Sequence, residues 1–142
     1  MPPESDHRLF FLLQRAAHNL RLTADRRCLA AAEITTAQLG ALFAVQDQPR
    51  LTQQQLARTL GLHQSAVTSL VGRLTAAGLL VRSAHPQQHR AVVLELTDAG
   101  TAALRSAGPE MDRFNAEVRD LLGDDGFAQA SAMLHKLAHW HS

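Results

Sequence analysis

Apolar residues recur at helical spacing from near the start of the chain. Leu9, Leu13, Ala16, Ala17, Leu20 and Ala24 fall on one stripe, which predicts a long helix from Arg8 to about Ala32. Phe10, Phe11 and Leu12 make its beginning apolar on more than one face. A helix apolar all round at one end has a second surface to bury, which points to another subunit. Thr35 or Thr36 caps a second helix running to about Val45, with Leu39, Leu42 and Phe43 inward, and Pro49 helps end it. Next, Thr52 is followed three residues later by Gln55, a capping box, with Leu51 and Leu56 at the positions of a hydrophobic staple. The helix so opened is brief, because Gly61 is placed to take the left-handed conformation that ends it.

His63 or Gln64 begins the next helix, in which Val67, Leu70, Val71 and Leu74 lie at i, i+3, i+4 and i+7, and Gly78 stops it. Two helices joined by a tight glycine turn, the second amphipathic, make a helix-turn-helix. Ser65, Ser69, Gly72 and Ala76 stand opposite the apolar stripe, flanked by Thr68 and Arg73. A solvated helix prefers Glu, Lys and Gln on such a face, whereas a helix that slides into a nucleic-acid groove needs a slim surface with hydrogen-bonding groups. The runs Leu79 to Arg82 and Ala91 to Leu96 predict a β-hairpin around Ser83-Ala84-His85-Pro86-Gln87-Gln88-His89-Arg90. Thr97-Asp98 then caps a helix carrying Leu104, Met111, Phe114, Val118 and Leu121, with a kink or break expected at Gly108-Pro109. Asp124 and Asp125 open a last helix with Phe127, Ala130, Leu134, Leu137 and His141 on one stripe.

Composition narrows the class. With 142 residues and 46% apolar side chains the chain can bury one core, and 4% aromatics without tyrosine leave that core to Leu, Ala and Val, residues that suit helices. Cys28 is the only cysteine, so no internal disulfide and no thiolate-rich zinc site is expected. No run of about eighteen apolar residues and no basic segment with a following apolar stretch is present, so the cytoplasm is the expected location and no membrane partner is expected. Net charge is +1, but Arg50, Arg58, Arg73, Arg82 and Arg90 cluster in the middle third, where Glu95 is the one acid. That makes a locally basic segment in a balanced chain.

The order helix, helix, helix-turn-helix, hairpin, long helix, final helix resembles the MarR family of bacterial transcription regulators. The residues carrying the likeness are Leu51-Thr52 to Leu56-Ala57, Leu60-Gly61-Leu62, Ser65-Ala66-Val67-Thr68, Leu70-Val71, Arg73-Leu74, Gly78-Leu79, Arg82, and Leu94-Glu95-Leu96-Thr97-Asp98-Ala99-Gly100. The resemblance implies a mainly α fold with a small β-hairpin wing, one domain over residues 1–142. In it, residues 1–33 and 98–142 form dimerisation helices and 34–97 the winged helix-turn-helix. It implies a homodimer on an inverted-repeat operator, with a recognition helix at about 63–77 in the major groove and a wing at 83–90 on the minor groove. The implied activity is that of a repressor released by a small aromatic effector. A winged-helix protein-interaction module with weak or lost DNA binding is the alternative.

On this reading Arg50, Arg58, Arg73 and Arg82 neutralise phosphates, and the helix starts at Gln53 and Gln64 add backbone donors. Base reading falls to Gln64, Ser65, Thr68 and Ser69, with Arg73 at the edge; the Thr68 methyl can meet thymine and Gln64 can pair with adenine. In the wing the family commonly carries Asp-x-Arg, and Gln88-His89-Arg90 stands in that place, so Arg90 keeps its role while Gln88 replaces the orienting acid. His89 would gain charge beside the groove as the medium turns acidic. The family's effector pocket would draw on Phe10, Gln14, His18, Arg21, Phe43 and Phe114. His85 with His89, and His135 with His139 and His141, lack neighbouring carboxylates or thiolates, so no metal and no cofactor is expected. Cys28 beside Arg26 and Arg27 invites a peroxide-sensing role, against which a packing role is the favoured reading. No phosphate loop or nucleophile-base pair suggests an enzyme.

Overall fold

The computed structural model describes residues 8–89 and 91–141. A 24-residue helix α1 (Leu9–Ala32) leads into α2 (Thr36–Asp47), whose start is fixed twice. Thr35 and Gln38 form a reciprocal capping box, and Asp25 of α1 accepts hydrogen bonds from the Thr36 backbone N–H (2.8 Å) and hydroxyl (2.6 Å). Of the two threonines offered by the sequence, Thr35 is therefore the cap and Thr36 the tie to α1. A two-residue strand β1 (Leu51–Thr52) precedes α3 (Gln53–Leu60) and α4 (Gln64–Ala76); β2 (Leu80–Ala84) and β3 (Val92–Leu96) follow, then the long α5 (Asp98–Ala138).

The three strands form an antiparallel sheet in the order β1-β3-β2, with Leu51 opposite Leu94 and Leu80 opposite Leu96. The hairpin predicted from the sequence thus gains a third strand that the chain pattern did not announce. Around the sheet, Leu42 of α2, Leu56 of α3, Val67, Val71 and Leu74 of α4, Leu80 of β2 and Leu94 of β3 are fully buried in one core. The stripe predicted for α4 is the face that enters it. No polar or charged residue is buried among the described residues.

The expected interruption of the last helix at Gly108-Pro109 is corrected by the structure. The dihedrals stay helical through both residues, and the one non-helical position is Gly123, at φ 77° and ψ 160°. Proline removes one N–H and crowds the preceding turn, but Ala103, Leu104 and Ala107 are buried against the core, and this packing holds the helix through the defect. Gly123 lies in an exposed stretch with no such support, in a backbone region essentially restricted to glycine. α5 therefore has two arms, residues 98–122 and 124–138.

The N-terminal part of α1 finds little cover within the protomer. Between residues 9 and 22, Leu13 alone is as much as half-buried, and Phe10 and Phe11 are 64% and 66% exposed. Leu121, Met133, Leu134 and Trp140 are likewise exposed. Leu9 and Leu13 line an apolar groove of about 230 Å³ with Ala130, Met133, Leu134 and Leu137. No single helix among the described residues is long and apolar enough to cross a membrane.

Candidate DNA-binding face

α3 begins at a complete capping box: Thr52 Oγ1 accepts from the Gln55 N–H (3.1 Å) and Gln55 Oε1 accepts from the Thr52 N–H (2.9 Å). It ends at Gly61, in the left-handed conformation (φ 65°), while the Leu62 N–H reaches back to the Ala57 carbonyl at 3.0 Å. Only three residues separate the helices, so α4 leaves at a fixed angle with its apolar stripe inward. His63 is the N-cap of α4 but its side chain makes no cap hydrogen bond, so the first N–H groups of this helix are not capped by a side chain.

Gln64, Ser65, Thr68, Ser69 and Arg73 are all exposed on α4, and Gly72 is half-buried. Apart from Arg73 on its flank, this is the slim, uncharged face expected from the sequence. Gln53 is half-buried, and its side chain is engaged: Nε2 donates to Thr68 Oγ1 at 3.0 Å, and Thr68 Oγ1 donates in turn to the Gln64 carbonyl at 2.9 Å. The sequence reading used Gln53 only for the donor at its helix start.

The wing leaves the sheet after Ala84 and Val92, which pair with each other. The His85 N–H donates to the Ala91 carbonyl at 2.9 Å, and the Ala91 N–H to the Gln88 carbonyl at 3.2 Å. His85 Nδ1 accepts from the backbone N–H groups of both Gln87 (3.0 Å) and Gln88 (2.9 Å). One imidazole thus shapes the turn, with Nδ1 bare of hydrogen. His89 and Gln88 are exposed at the tip; Arg90, the residue the sequence assigns to the minor groove, lies outside the described residues. Between wing and helices runs a groove of about 290 Å³ lined by Thr52, Gln53, Gln54, Gln64, Gln88, Ala91 and Val92. Gln54 enters here without having been singled out, since an exposed glutamine at the second position of a helix carries no signal in sequence. The groove's four glutamines present amides, each able to donate and accept, from the starts of α3 and α4 and from the wing loop.

Arg58 of α3, Arg73 of α4 and Arg82 of β2 are exposed, and none pairs with a carboxylate among the described residues. Arg50 differs: its Nε lies 3.9 Å from Glu95 Oε1, and its backbone sits at φ 66°. Its charge is partly spent within the protein.

A second concavity, about 290 Å³, lies between α2 and α5, lined by Phe43, Gln46, Leu104, Arg105, Gly108, Pro109 and Asp112. Of the six effector residues read from the sequence, Phe43 alone lines it. Phe10, Gln14, His18 and Arg21 stand exposed along α1, and half-buried Phe114 lies under the Arg27 guanidinium, 5.7 Å from its ring centre. Gln46 and Arg105 had no sequence signal, because only the packing of α2 on α5 brings them together.

Cys28 is fully buried, its Sγ 3.6 Å from Met111 Sδ. Burial, then the nearby charges of Asp25 and Glu110, raise its pKa above the ordinary thiol range, which suits a packing thiol and opposes a reactive one. The His135 and His139 rings lie 4.3 Å apart, tilted by 44°, and His139 Nδ1 donates to the His135 carbonyl. No group of three potential metal ligands occurs among the described residues.

A sequence profile described as MarR family matches residues 32–91. An uncharacterised HTH-type transcriptional regulator of Bacillus cereus (strain ATCC 10987 / NRS 248) is 30% identical over 111 residues, 78% of this chain and 73% of that protein. The chain belongs to the MarR family. Among solved members, the transcriptional repressor CouR bound to a 23-mer DNA duplex is similar over 96% of both chains, at 29% identity and a TM-score of 0.87. The PcaV transcriptional regulator from Streptomyces coelicolor, in complex with its natural ligand, is similar over 95% of this chain and 92% of that one, at 29% identity and a TM-score of 0.80. This MarR-family chain is accordingly a transcriptional regulator with a winged helix-turn-helix fold, and its relatives are regulators and not enzymes.

Proposed function

We propose that the protein is a homodimeric, ligand-responsive repressor that binds an inverted-repeat operator. Residues 63–77 enter the major groove and the wing, 83–90, reaches the minor groove. The observation that carries this is the exposed Gln64-Ser65-Thr68-Ser69 face of α4, uncharged and slim, accompanied in the same winged unit by the exposed cations Arg58, Arg73 and Arg82, which have no carboxylate partner among the described residues. Cations on the rim meet phosphates and release counterions, while hydroxyls and amides at the centre meet base edges. CouR, a relative of similar fold, is described bound to duplex DNA, which supports the same partner here. His89 and Arg90 extend the contact from the wing.

A second copy is the partner that fits the bare apolar ends of α1 and α5, which we assign to dimerisation, leaving residues 34–97 as the DNA-binding unit. A symmetric pair would set two recognition helices roughly 34–36 Å apart, one turn of DNA. A small aromatic effector is the ligand we assign to the α2–α5 concavity, whose lining brings Phe43 together with the charged Arg105 and Asp112. Facing α1 of the second copy, Phe10, Gln14, His18 and Arg21 would complete its wall. PcaV, described with a natural ligand, and CouR, described with p-coumaroyl-CoA, support a small-molecule effector. The test is binding of the protein to DNA upstream of its own gene in rising salt. We expect tight binding to one inverted repeat, steep weakening with salt, and elution as a dimer by light scattering. Monomeric elution, or equal affinity for every duplex, would overturn the proposal.

A further inference from the structure

We infer that Gln53 is a positioning residue that turns Thr68 into a reader of the thymine 5-methyl group; the inference rests on α4 being the recognition helix. A hydroxyl has one proton and two lone pairs. The Thr68 proton is spent on the Gln64 carbonyl at 2.9 Å, so the Gln53 side chain opposite can only donate, and its amide nitrogen stands 3.0 Å from Thr68 Oγ1. Thr68 is then unable to donate to a base.

Back-bonding to the preceding turn is ordinary for threonine in a helix. Thr75 shows it too, donating toward the Val71 and Gly72 carbonyls at 2.9 and 3.0 Å. What sets Thr68 apart is the second bond, from a different helix. Threonine in a helix divides between two side-chain rotamers according to how its oxygen bonds. Tying the oxygen from both sides selects one; the hydroxyl keeps a single lone pair, which can only accept, and the methyl is the one apolar group this exposed residue offers a base. In the major groove the thymine C5-methyl is the single apolar mark of a base pair, and an apolar side-chain group is what recognises it. The Gln54 and Gln64 amides, which line a groove together with Gln53, keep hydrogen-bond reading for the adjoining base pairs.

The prediction is tested on the duplex of highest affinity that the protein selects from a random-sequence pool. Each thymine is then replaced, in both half-sites, by deoxyuridine, which keeps base pairing and removes only the methyl. At one thymine position affinity should fall by about fourfold per half-site, the worth of one buried methyl group. Thr68→Ser keeps both hydrogen bonds and loses the methyl, so it should bind the thymine and deoxyuridine duplexes alike. Gln53→Ala should still bind while its discrimination at that position shrinks toward unity; a general loss of affinity with the ratio intact would assign it a merely structural role and overturn the positioning claim. Wild-type protein indifferent to every deoxyuridine, or Thr68→Ser retaining the full ratio, would overturn the methyl reading. Failure to select any duplex would instead overturn the proposed DNA-binding function itself.

Discussion

Gly100→Ala should unfold the protein more easily although it places the better helix former in a helix. Gly100 sits in the first turn of α5, where a Cβ would overlap the Leu79 carbonyl oxygen and stand 3.2 Å from its carbon and 3.3 Å from Leu96 Cδ2. A backbone carbonyl cannot swing aside as a side chain does, so α5 must retreat from the sheet. Two hydrogen bonds oppose the retreat, the Thr97 N–H to the Leu79 carbonyl (3.2 Å) and the Thr97 hydroxyl to the Gly78 carbonyl (2.6 Å), while the Gly100 N–H to Thr97 Oγ1 bond (3.0 Å) caps the helix itself. Overpacking costs about 1–3 kcal/mol, and one or two weakened hydrogen bonds about 1–2 kcal/mol. The gain of alanine over glycine in a helix returns about 1 kcal/mol. The net is a loss of about 1–4 kcal/mol, a large part of a typical stability of about 5–15 kcal/mol. Urea unfolding at one fixed protomer concentration measures it. Gly72→Ala is the internal control, since nothing lies within 4 Å of its Cβ and its φ is ordinary. That variant should match or exceed wild type. Gly100→Ala unfolding at or above the wild-type midpoint would refute the steric argument.

Arg73→Ala should weaken binding to all DNA sequences and lower the salt slope by about one, whereas Gln64→Ala should alter preference between sites; equal losses on every duplex for both would remove the distinction, as read by fluorescence anisotropy. His85→Ala removes the acceptor for the Gln87 and Gln88 N–H groups and should weaken operator binding with little change in the urea midpoint. Cys28, with its pKa raised by burial, favours the folded state while the thiol is neutral in both states. That contribution is complete below the ordinary thiol range and is lost as pH rises through the folded value. The urea midpoint should therefore fall on alkaline titration less in Cys28→Ala than in wild type, and a maleimide should react slowly with the native thiol.

The DNA-binding half of the fold was legible because its signals are local. The Thr52–Gln55 box, the left-handed Gly61 and the Val67-Leu70-Val71-Leu74 stripe each sit within one helical turn or two, and each appears as read. The strand Leu51–Thr52 was not legible, since two residues cannot show a period of two. The extra interruption expected at Gly108-Pro109 did not form, because burial of Ala107 and Leu104 overrides the local preference of Pro109, while the last helix opened at Asp124 was legible and Gly123 marks the break before it. The Gln53–Thr68 bond joins residues fifteen apart on two helices, and no pattern within either helix announces it. The effector residues assigned to α1 stand on a surface that this protomer leaves open, so their neighbours belong to whatever covers it.

The core of this protein is aliphatic throughout, apart from one thiol, and no described residue in it is polar. Such an interior supplies cohesion but little addressing, because leucine against valine packs nearly as well in several registers. The addresses are written at the perimeter, by Thr35 and Thr36 at the start of α2, Thr52 at α3 and Thr97 at α5, each hydroxyl accepting or donating at one fixed place. Volume-conserving exchange of one hydrocarbon for another should therefore be tolerated in the interior, while these four threonines mark the points where the chain is told where to turn.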